Sequence, residues 1–133
     1  MLCSYILFTN NPIIKNEIIN GCLEFVFISG TSFDVLKCAR DSVHRGAKLI
    51  THPLYGNLRP YQQPYRTILV AGKKETSPCD FESLSLIERA VEVYQSCIDR
   101  LIKPENLPEL LRDDYAFVDF ELMRESFSRF KLI

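Results

Sequence analysis

Apolar residues recur in this chain in two rhythms. Short apolar runs at Tyr5-Ile6-Leu7-Phe8-Thr9, Leu23-Glu24-Phe25-Val26-Phe27-Ile28, Lys48-Leu49-Ile50-Thr51 and Thr67-Ile68-Leu69-Val70-Ala71 read as strands. Longer segments repeat their apolar positions at helical spacing. Pro12 at a first helical position and Gly21 just past the end suggest a short helix over residues 13–20. Thr31 or Ser32 caps a second helix, whose face is Phe33, Leu36, Ala39 and Val43 and whose stop is Gly46. Ser77-Pro78-Cys79-Asp80 has the form of a helix start, and the stripe Leu84, Ile87, Val91, Tyr94, Ile98, Leu101 continues it until Pro104. After Asn106-Leu107-Pro108 helix restarts, with the adjacent acids Asp113-Asp114 read as a cap before its last stretch. There Ala116, Phe120, Met123, Phe127 and Phe130 approach a heptad seam.

Strands alternate with helices in the first half, a pattern that predicts an α/β fold. The expected architecture is three-layered: a small, mostly parallel four-stranded sheet with helices on both faces and a C-terminal helical segment. Residues 1–133 form one domain, a length at which a core closes without disulfides or metals. The direction of the fourth strand stays open, because the loop before it is long enough for either.

That loop is the least ordinary part of the chain. His52 to Arg66 carries three prolines, three tyrosines, two glutamines and two arginines. Loops of about a dozen residues in a compact domain are usually functional or disordered. Stiff prolines and packing tyrosines argue for the former.

In open parallel sheets, ligands bind beyond the carboxyl ends of the strands. This sequence would bring to that rim Asn10 and Asn11 from the first strand, Ser29-Gly30-Thr31-Ser32 from the second, and Thr51-His52-Pro53 from the third. The start of the second helix could hold a carboxylate or phosphate. Arg59, Tyr65 and Arg66 come from the loop, and either arginine suits a bidentate anion contact. His52 can move a proton near neutrality and is the candidate catalytic residue. His44, late in a helix, reads as a favourable charge at the helix carboxyl end.

Composition narrows the function classes. The formal net charge of −1 makes no case for nucleic acid or membrane as a partner. Charge is nonetheless uneven: Lys37 to Arg66 holds six basic residues against one acid, and Asp80 to Glu125 holds twelve acids against five basic residues. Five cysteines, an odd number with no close pair, read as reduced thiols, with Cys38 and Cys97 as small apolar residues. No ligand cluster for a metal, no dinucleotide or phosphate-loop motif and no nucleophile elbow occurs, so no cofactor is expected. The first residues are too short and polar for a signal peptide, and no run reaches membrane-span length; the expected location is the cytoplasm.

Thr9-Asn10-Asn11-Pro12, Asp34-Val35-Leu36, Arg40-Asp41 with His44-Arg45-Gly46, and above all Thr51-His52-Pro53-Leu54-Tyr55-Gly56 with Arg59-Pro60 and Pro64-Tyr65-Arg66 resemble the GrdX family. The resemblance covers roughly residues 5 to 71. It implies a small bacterial protein encoded beside glycine and betaine reductase components in amino-acid-fermenting anaerobes. It implies no established activity and carries over no catalytic residue.

Three readings follow. In the first, a non-catalytic accessory protein binds a small anionic ligand or a protein subunit at a strand-end pocket framed by Asn10, Asn11, Ser29, Thr31, His52 and Arg59. In the second, an enzyme acts on a carboxylate or phosphate with His52 as general acid/base and Arg59 or Arg66 as anion clamp. In the third, the last helix is a homodimer face.

Overall fold

The computed structural model describes residues 5–18, 23–56, 59–72 and 79–133. The strands are β1 (Tyr5–Thr9), β2 (Leu23–Phe27), β3 (Lys48–Leu49) and β4 (Thr67–Ala71). The helices are α1 (Ile14–Glu17), α2 (Ser32–His44), α3 (Phe81–Ser96) and α4 (Glu109–Arg129), with single tight turns at Pro60–Gln62, Ile98–Arg100 and Pro104–Asn106.

The sheet order is β2-β1-β4-β3. β1 pairs with β2 in parallel, and β4 lies antiparallel to both β1 and β3. The sheet is therefore mixed, with two antiparallel pairings and one parallel one, and the expectation of a mostly parallel sheet is corrected. The reason lies in the loop before β4. It returns the chain along the rim it left, so β4 starts where β1 and β3 end and threads between them. β1, β2 and β3 still share one direction, so their carboxyl ends and the amino end of β4 occupy a single rim.

Strand alternation sends side chains to two cores. On one face Phe8, Ile68 and Val70 pack against Val35, Leu36, Ala39 and Val43 of α2 and Ile87, Ala90, Val91 and Tyr94 of α3. On the other, Leu7 and Leu69 pack against Ile14 of α1, Phe120, Met123 and Phe127 of α4, and Leu132. Each fully buried large aliphatic or aromatic side chain stabilises by about 1.5–3 kcal/mol. The seam foreseen on α4 thus faces the molecule's own sheet, and the apolar tail docks through Leu132.

Helix boundaries follow local chemistry. Thr31 caps α2: its hydroxyl accepts from the Asp34 N–H at 3.2 Å, and the Asp34 carboxylate accepts from the Thr31 N–H at 2.9 Å. The Thr31 N–H holds the Asp34 carboxyl below the usual carboxylate range. Thr31→Ala is expected to cost about 1 kcal/mol in urea denaturation. Past the helix end, Gly46 takes a φ of 109°, the left-handed conformation that a C-terminal stop needs.

α3 differs from the sequence expectation at both ends. Its cap is Asp80, whose carboxylate accepts from the N–H of Ser83 at 3.0 Å; Ser77 and Pro78 lie outside the described residues. The helix stops at Ser96 rather than running to Leu101. There the Ser96 hydroxyl and Cys97 thiol both donate to the Val93 carbonyl, competing with the backbone ladder, and a tight turn carries the apolar stripe onward. Asp113 and Asp114 lie inside α4 and cap nothing; Pro108 stands at its start, where a missing N–H costs nothing. β3 is shorter than the run that suggested it, although Ile50 still donates to the Leu69 carbonyl at 2.9 Å. The helix expected over residues 13–20 is the single turn of α1, and residues 19–20 lie outside the described residues.

Candidate binding pocket at the sheet rim

Two adjacent asparagines tie the rim together. Asn10 donates to the carbonyls of Gly30 (3.0 Å) and Pro64 (2.9 Å) and accepts from the Arg66 N–H (2.9 Å), joining the ends of β1 and β2 to the start of β4. Asn11 turns the other way and donates to the Ala116 carbonyl (2.8 Å) and the Asp119 carboxylate (2.9 Å) on α4.

Behind the rim runs a sealed polar seam. Arg66 is 1% exposed and Asp119 is 2% exposed. Arg66 donates to the Tyr94 hydroxyl (2.7 Å), the Pro53 carbonyl (2.8 Å) and the Gln63 amide oxygen (3.1 Å). The Tyr94 hydroxyl in turn donates to the Ser32 hydroxyl at 3.0 Å. Asp119 accepts from Asn11, from the Thr67 hydroxyl at 2.8 Å, and from the Tyr55 hydroxyl in a short contact. The Tyr55 ring lies between the two charges, with the Arg66 guanidinium 5.2 Å from its centroid. Burial pushes the Asp119 carboxyl above the usual carboxylate range, against the opposing pull of its three donors and of Arg66. Burial, then the nearby Asp119 charge, pushes the Tyr55 phenol well above its ordinary value.

In front of the rim lies a pocket of about 240 Å³, lined by Asn10, Pro12, Phe27, Ile28, Ser29, Gly30, Tyr65, Pro104, Glu105 and Arg112. Arg112 is one of its walls, and the Nε of that arginine is buried without a hydrogen-bond partner among the described residues. A buried guanidinium donor left unpaired is uncommon and calls for an acceptor. Tyr65 is its neighbour: burial raises the phenol above its ordinary value, and the Arg112 charge pulls the other way.

The rim draws the residues singled out by sequence into different company. Asn10, Ser29, Gly30 and Tyr65 line the pocket. Asn11, Ser32 and Arg66 belong to the sealed seam. Thr31 is engaged in the α2 cap, and the Thr51 hydroxyl accepts from the Leu69 N–H at 3.1 Å. His52 is exposed, and its Nδ1 accepts from the Leu54 N–H at 3.0 Å, so its ring shapes the turn. Arg59 is exposed and lines no described pocket wall at the rim. His44 pairs with Glu88 at 2.7 Å, beside Arg40, which reaches the same oxygen at 2.8 Å.

Three contributors escaped the sequence reading. Asp119 had a signal: a carboxylate on the face of α4 that carries Ala116, Phe120, Met123 and Phe127. Arg112 and Glu105 had none, since both sit among other charges. Among the described residues no group of side chains could hold a metal ion, and no helix is long and apolar enough to cross a membrane.

The fold and rim define a small α/β protein whose mixed sheet carries a buried polar seam behind a charged pocket. The chain belongs to the GrdX-like protein family, whose model it matches over residues 6–128. No curated protein and no solved structure matches it.

Proposed function

We propose that this chain is a non-catalytic accessory protein that binds a small anionic ligand in the rim pocket. The observation that carries the reading is Arg112, whose buried Nε lacks a partner beside Asn10, Ser29, Gly30 and Tyr65. The arginine supplies a planar donor and a fixed positive charge, the pairing that carboxylates favour. Family resemblance suggests the setting, amino-acid reductase metabolism, and five cysteines without a close pair suggest a reducing, cytoplasmic location.

The reading with His52 as general acid/base draws less support. Arg66 is sealed behind the rim with its donors engaged, so it is not free to clamp a substrate beside His52. Titration of the full chain with propionate, followed by amide chemical shifts, tests the binding reading. Shifts are expected at Ser29, Gly30 and Tyr65. Arg112→Met is expected to weaken propionate by about tenfold or more, while His52→Ala leaves it unchanged, a difference of about 1.4 kcal/mol. Equal affinity in wild type and Arg112→Met overturns the assignment.

A protein partner has its own observation. Leu111, Val118 and Leu122 form an exposed apolar stripe on α4, with Asp114 beside it and with Glu121 and Glu125 paired to Arg124 and Arg129. The apolar face of a partner amphipathic helix suits such a stripe.

A further inference from the structure

The rim pocket holds two charges of opposite sign that do not neutralise each other. Glu105 and Arg112 both line it, and no ion pair within 4.0 Å joins them or ties either to another side chain among the described residues. Within a shared cavity an unpaired carboxylate and guanidinium each favour a counter-charge. Resting on the anion-binding reading above, we propose that the ligand is a small zwitterion of the α-amino-acid type, its carboxylate on Arg112 and its ammonium toward Glu105.

The walls fit that chemistry. Arg112 is carried by α4, and its buried Nε still lacks an acceptor. Glu105 sits in a one-turn element stiffened by Pro104 and closed by the Asn106 N–H to Lys103 carbonyl bond at 3.0 Å. That element is tied to the loop, since Ile102 donates to the Tyr61 carbonyl at 3.0 Å. The two charges therefore sit on separately anchored supports. Among the lining residues the exposed Phe27 offers aromatic surface that tolerates an ammonium, and Pro12 and Ile28 accept a short aliphatic group.

Charge ranks the rivals. A volume of about 240 Å³ accommodates a small ligand. A simple anion gains Arg112 but meets the Glu105 carboxylate. A phosphate dianion meets it more strongly, and a simple amine meets Arg112. Only a ligand carrying both charges finds a complement at each end.

Three probes of matched shape test this on the full chain: L-alanine, propionate (which lacks its amine) and ethylamine (which lacks its carboxylate), each titrated at neutral pH with amide shifts as the readout. L-alanine is expected to bind at least about tenfold more tightly than propionate, with ethylamine weakest. Glu105→Gln is expected to erase the preference for L-alanine while propionate affinity holds or rises, and Arg112→Met to weaken both. Glu105 is exposed, so its variant should keep the fold, and Glu105→Lys is a second check that should raise propionate affinity. If L-alanine and propionate bind equally, or Glu105→Gln leaves the preference intact, the zwitterion proposal falls and the anion reading survives. If no probe shifts the pocket amides, both fall.

Discussion

Asp119→Leu is expected to destabilise the protein by about 3–5 kcal/mol, a large part of the stability of an ordinary domain. The carboxylate is the shared acceptor of the Asn11 amide, the Thr67 hydroxyl and the Tyr55 hydroxyl. A leucine of similar size fills the space but strands the Tyr55 hydroxyl and one N–H of Asn11, each costing about 1–3 kcal/mol, while the Thr67 hydroxyl can turn to Thr9 at 2.8 Å. Relief of a desolvated charge offsets part of that sum. Urea denaturation at neutral pH measures the change, and a loss below about 1 kcal/mol would contradict the role given to the seam.

Asp119→Asn reads the same site through pH. Burial raises the folded-state pKa of Asp119, so the folded chain holds a proton that the unfolded chain has already released. The stabilisation from that proton is complete below the ordinary carboxylate range and is lost as pH rises through the folded value. The asparagine variant has no such proton. The stability of wild type minus that of Asp119→Asn should therefore fall as pH rises from the ordinary carboxylate range, the reverse of common acid denaturation. A difference that stays flat, or grows with pH, would show that the carboxyl is not raised.

Arg66→Met should be as severe, about 3–5 kcal/mol, because removing one side of a buried charge arrangement leaves the other uncompensated. Tyr94, Pro53 and Gln63 lose their donor, and Asp119 loses a cation that favours its ionised form. The upward displacement of the Asp119 titration should grow. Combining Arg66→Met with Asp119→Leu should cost less than the two single losses added, by about 0.5–3 kcal/mol, since both act on one network. Strict additivity would mean that the Tyr55 ring insulates the two charges rather than coupling them.

The elements were largely legible because their rhythms are strong. Leu7 and Leu69 alternate cleanly with Phe8, Ile68 and Val70, and the α2 cap announces itself through Thr31 and Asp34. The direction of β4 was not legible. Nothing local to Thr67–Ala71 encodes it; it follows from how the proline-rich loop packs. The rim was legible as a place. Small polar residues at three strand ends do meet there, but Asn11, Ser32 and Arg66 are satisfied by one another's surroundings rather than left for a ligand. A polar side chain at a strand end looks the same in sequence whether its partner is solute or protein. Asp119 decides the matter for Asn11, and it lies 108 residues away along the chain. The pocket's charges come from Glu105 and Arg112, beyond the segments that hold the family's most distinctive motifs.

The threading of β4 between β1 and β3 also sets the order in which the chain can become native. Among the described residues β3 has no neighbour in the sheet except β4, and the centre of the sheet closes only when Leu69 reaches Leu7. Until the ribosome has released residues past Ala71, the emerging chain holds β3 as an orphan edge and β1 with one side bare. Assembly must therefore wait on distant partners, a topology that slows folding, and a polypeptide halted before β4 would present two unsatisfied edges to any chaperone or neighbouring nascent chain.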